Sequence, residues 1–134
     1  MTQIILSDEN CEGQAELIFQ ELAQLDLSEM LGLVLKTLPQ VGLRKGSGDE
    51  AIWRYCQANR CLLVTGNRTT KDGAKSLEYT IQHLITATSL PVLTISNLKR
   101  VAPDPVYRER CAIRLAEIVM ELETHLGTPR VYLT

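Results

Sequence analysis

Apolar residues along this chain alternate between two rhythms. Ile4-Ile5-Leu6, Leu62-Leu63-Val64 and Val92-Leu93 are short runs without polar interruption, the pattern of strands covered on both faces rather than on one. Between them the spacing becomes helical. Ala15, Leu17, Ile18, Leu22 and Leu25 fall on one helix face, with Asn10 or its neighbours as cap. Asp49 to Asn59 reads as a second helix, with Ile52, Tyr55 and Cys56 on one face and Trp53 close by. Leu77, Ile81, Leu84 and Ile85 mark a third helix, expected to start at Ser76. Ile113, Leu115, Ala116, Val119, Met120 and Leu122 give a broad stripe on a long helix, about Val106 to Leu126, closed by Gly127 and stopped by Pro129. Leu27 to Leu31 extends the first helix or forms a short one. Gly32 to Lys36 fits either period, and a strand within Leu33 to Thr37 is expected. The other strands are Gln3–Ser7, Cys61–Thr65, Leu90–Ile95 and Arg130–Leu133.

Strands alternating with helices imply an α/β protein, a three-layer α/β/α sandwich around a central, mainly parallel sheet of four to five strands with right-handed crossovers. The 134 residues fit a single domain, 1–134, with a real core. A formal net charge of −2 advertises no global basic field, though a local patch is a separate matter. No apolar run approaches the ~20 residues of a membrane span, so no membrane partner is expected, and the opening Gln3-Ile4-Ile5-Leu6 is too short and unflanked for a signal peptide. Cys11, Cys56, Cys61 and Cys111 show no metal-ligand spacing and no adjacent His. They read as reduced, mostly buried thiols of a cytoplasmic protein.

Acids sit at the junctions of these elements. Asp8 and Glu9 follow the first strand, Asp49 and Glu50 open a helix, Asp72 lies in the loop after the third strand, and Glu78 is one turn into the next helix. A parallel sheet gathers such junctions at its carboxyl edge, where open α/β sheets bind ligands. Crowded carboxylates repel one another without a cation among them. Hard oxygen donors suit Mg²⁺ or Mn²⁺, with Asp8, Glu9, Asp49 and Asp72 as the candidate ligands. Taken singly, Asp49 and Glu50 are also what a helix dipole favours in a first turn. The loop Gly66 to Lys75 is basic as well as acidic. Arg68 and Lys71, with Arg44 and Lys45 on the glycine loop Gly42–Gly48, are candidate phosphate or nucleic-acid contacts beside helix-terminal amides. The P-loop echo Gly66…Gly73-Ala74-Lys75-Ser76 has the wrong glycine spacing. His83 on a helix flank and Cys61 at a strand start read as structural residues.

Three stretches carry a resemblance. Ile4-Ile5-Leu6-Ser7-Asp8-Glu9-Asn10, then Gly48-Asp49-Glu50-Ala51-Ile52-Trp53, then Asn59-Arg60-Cys61-Leu62-Leu63-Val64-Thr65, in this order and spacing, resemble small PIN-like domains, and Pro91 to Ile95 resembles their fourth strand. The resemblance covers about residues 3 to 100. It implies a Mg²⁺- or Mn²⁺-dependent ribonuclease, many of the family being toxins, in which Asp8 and Asp49 hold metal while Glu9, Asn67 and Asp72 assist. It further implies RNA as substrate, with an antitoxin-like protein or a second copy of the chain as partner. The departure lies after the third strand. The family places acids and an aromatic there, where this chain has Thr65-Gly66-Asn67-Arg68-Thr69-Thr70. Asn67 occupies an acid's position and brings no charge. The resemblance therefore also admits a catalytically inactive PIN-like protein that binds or self-associates.

Overall fold

A computed structural model describes residues 2–66 and 77–134 in full and the helical backbone of 71–76. Five strands, β1 (Gln3–Ser7), β2 (Leu33–Thr37), β3 (Leu62–Gly66), β4 (Val92–Ile95) and β5 (Arg130–Tyr132), form one sheet in the order β2-β1-β3-β4-β5. Every pairing is parallel, with Ser7 opposite Thr37 on one side and Val64 on the other. Side-chain alternation sends the apolar runs to both faces. Ile5, Leu62, Val64, Leu93 and Ile95 point into one core with α1 (Glu12–Gln24), α2 (Leu27–Met30), α5 (Leu98–Val101), α6 (Pro105–Met120) and α7 (Leu122–His125). Leu6, Leu63 and Val92 point into the other, under α3 (Asp49–Asn59) and α4 (Lys71–Leu84). This is the expected three-layer sandwich, and the missing alternation in the sequence is explained by its two cores.

Several boundaries differ from the periodicity. The helix expected from Ser76 begins at Lys71, and the helix expected to reach Leu126 stops at Met120, where Glu121 leaves helical geometry before α7. Beyond α7 the Gly127 amide donates to the Ser89 carbonyl at 2.8 Å and anchors the segment to the loop before β4. The short helix α5 and two 3₁₀ turns, Glu9–Cys11 and Pro39–Val41, carry no helical period of their own. No described helix is long and apolar enough to cross a membrane.

Candidate functional site at the carboxyl edge

The winding reverses between β1 and β3: from β1 the chain moves to one sheet edge, and from β3 to the other. Open α/β sheets bind ligands at the carboxyl ends beside such a switch point, where the connections diverge. The two strand ends are latched together. The Asp8 amide donates to the Val64 carbonyl at 2.9 Å, and the Cys11 thiol donates to the same carbonyl at 3.4 Å.

Asp8 is the central side chain of this edge. It is 5% exposed, and both carboxylate oxygens are engaged. Oδ1 accepts from the Glu9 amide at 2.8 Å, capping the 3₁₀ turn, and Oδ2 accepts from the Thr65 hydroxyl at 3.0 Å. A buried carboxylate needs such donors, since desolvation without them costs several kcal/mol. Their effect is an oriented, acceptor-rich group at the switch point. Next to it the Gly66 amide donates to Asn10 Oδ1 at 3.4 Å. Thr65 sits within an apolar run that carries no site motif. Its one signal was a hydroxyl where both faces of a strand are buried. Beneath the edge lies Cys56, whose thiol is pushed well above its ordinary range by burial, then by neighbouring Cys61 and by Asp8. Cys61 is itself buried and raised by burial, so it is a protonated core thiol rather than a nucleophile.

The glycine loop comes to the same edge. The Gly46 amide donates to Glu9 Oε1, which places the exposed Arg44 and Lys45 beside the acids that follow β1. Asp49 stands half-buried at the start of α3, after Gly48, which offers no side-chain cap. Two further junction acids are engaged elsewhere. Glu50 pairs with Arg54 one turn on, at 3.2 Å, and Glu78 receives Arg130 at 2.7 Å and 3.0 Å. His83 stacks on Tyr79 and contacts its carbonyl. Asn67 and Arg68, and the side chains of Lys71 and Asp72, lie outside the described residues.

A Mg²⁺ or Mn²⁺ centre requires several oxygen donors around one point. Among the described residues no group of three or more His, Cys, Asp or Glu is placed to hold an ion. Asp72, the fourth acid of the set that the resemblance implies, has its side chain outside the described residues. The described edge instead offers an oriented carboxylate and two exposed cations, while its Asp8, Glu9, Gly46 and Gly66 amides are bonded within the protein. Comparison with protein-family models, curated proteins and solved structures returned no match.

Proposed function

We propose that this chain is a PIN-like protein of the cytoplasm that engages single-stranded RNA at the carboxyl edge between β1 and β3. The observation that carries this reading is the Gly46–Glu9 hydrogen bond, which docks the Arg44-Lys45 loop on the acid-bearing switch point. Exposed cations suit phosphate, and with a net charge of −2 such attraction is local rather than global. The ribonuclease form of the same reading adds Mg²⁺ or Mn²⁺ held by Asp8 and Asp49. It is favoured by the burial and orientation of Asp8. The binding form is favoured by the lack of a three-ligand group among the described residues. An antitoxin-like protein covering this edge belongs to the ribonuclease form.

The forms part in one experiment. Fluorescence anisotropy with a single-stranded RNA is measured against salt, with and without Mn²⁺, and the RNA is then run on a denaturing gel. The binding form gives intact RNA and metal-independent affinity. Arg44→Ala with Lys45→Ala then lowers the salt slope by about 1.4, two phosphate contacts on a single strand. The ribonuclease form gives cleavage that Asp8→Asn and Asp49→Asn each abolish, together with a melting temperature raised by metal through mass action. The absence of both binding and cleavage overturns both forms.

A further inference from the structure

The stripe on α6 divides in the folded chain. Tyr107, Cys111, Ala112, Leu115, Ala116 and Ile118 are buried against the sheet and α1, whereas Val106, Ile113 and Met120 are 60%, 41% and 57% exposed. These three recur every seven residues, so they lie along one outward line of the helix. Arg110 and Glu117, both exposed, flank that line on the same side. Neither forms an ion pair among the described residues.

The outward line reads the same in both directions about Ile113. Val106 and Met120 lie equally far on either side of it, and Arg110 and Glu117 have their midpoint beside it. A two-fold axis through Ile113 would oppose each Arg110 to the Glu117 of a second copy, and each Val106 to its Met120. Isologous contacts demand this self-complementarity, in which i meets j and j meets i. We propose that the outer face of α6 is an antiparallel homodimer interface, with Ile113 on the two-fold axis and two reciprocal Arg110–Glu117 ion pairs beside it. The charge pattern favours a second copy of this chain over an unrelated apolar partner, since Arg110 and Glu117 each find their opposite in the chain itself, while exposed Glu109 on the other side of the line stays at the solvated rim. An open hollow of about 580 Å³ lined by Met120, Leu122 and Leu126 adjoins the end of the stripe, where Val106 of the second copy arrives. This interface does not depend on the RNA reading.

Sedimentation equilibrium of the full chain from micromolar to millimolar concentration tests it. A reversible monomer–dimer equilibrium is expected. Arg110→Glu and Glu117→Arg each weaken it by about tenfold, because one substitution makes two like-charge contacts. Combining them swaps the charges and returns the dissociation constant to near the wild-type value. Ile113→Asp gives monomer throughout. A wild type that stays monomeric overturns the proposal. So does a dimer indifferent to the single reversals, or a charge swap as weak as either reversal alone.

Discussion

At the scale of single residues, the carboxyl edge rests on Asp8 and the hydroxyl beneath it. Thr65 donates to Asp8 Oδ2 inside the protein, and valine keeps the shape while deleting that donor. A buried carboxylate deprived of one donor costs about 1–3 kcal/mol. Urea unfolding of Thr65→Val is therefore expected to show a lower midpoint with unchanged denaturant slope. Thr65→Ser keeps the hydroxyl and should lose only about 1 kcal/mol, the worth of a buried methyl group. A smaller loss in Thr65→Val than in Thr65→Ser would show that packing, rather than the hydrogen bond, is what Thr65 supplies. The importance of Thr65 could not be read from its own position, because its partner is distant in sequence. Asp8 was legible, since an acid directly after an apolar strand stands out.

Between elements, the end of β3 and the start of α5 meet without space for a side chain. A Cβ on Gly66 would lie 2.7 Å from Leu98 Cγ and 2.8 Å from Cδ2. Glycine is required there by proximity, since this position has no left-handed backbone. Gly66→Ala should destabilise by about 1–3 kcal/mol through overpacking, with Leu98 forced aside. Leu98→Ala in the same chain should recover much of that loss, giving a coupling of about 1 kcal/mol or more in a double-mutant cycle. Strict additivity of the two substitutions would sink this account. The glycine was visible as the first residue of a loop, but its reason was not, because α5 carries no helical period. Element boundaries such as the break of α6 at Glu121 are likewise not reported by local spacing.

For the whole molecule, two cores bury all four cysteines as free thiols. Burial pushes Cys111 up from an ordinary value of 9.0 to about 11, against smaller opposing effects of its hydrogen bond with Tyr107 and of the Arg100 charge; Cys56 and Cys61 are raised as well. A raised folded-state value means that the native chain keeps protons the unfolded chain releases. This stabilisation is complete below pH ~9 and is lost as pH rises toward ~11. The unfolding midpoint should therefore fall across that alkaline window. Cys111→Ala should flatten the fall even if the smaller side chain lowers stability at every pH. An identical slope in the variant would assign the alkaline loss to other groups. The same burial predicts that thiol reagents label the chain only after unfolding.

The sequence by itself determined the layer architecture, because uninterrupted apolar runs and helical stripes are local patterns set by what each face must bury. It also determined which junctions bear acids. Tertiary structure alone decided the strand order β2-β1-β3-β4-β5, and with it the switch point that sets Asp8 against Thr65 and Gly66. It alone brought Arg44 and Lys45 to Glu9 through Gly46, committed Glu78 to Arg130, and divided the α6 stripe into a buried half and an outward line. Each of these joins residues far apart in the chain, or sorts residues of equal hydropathy by what lies opposite them. Local periodicity carries no term for either.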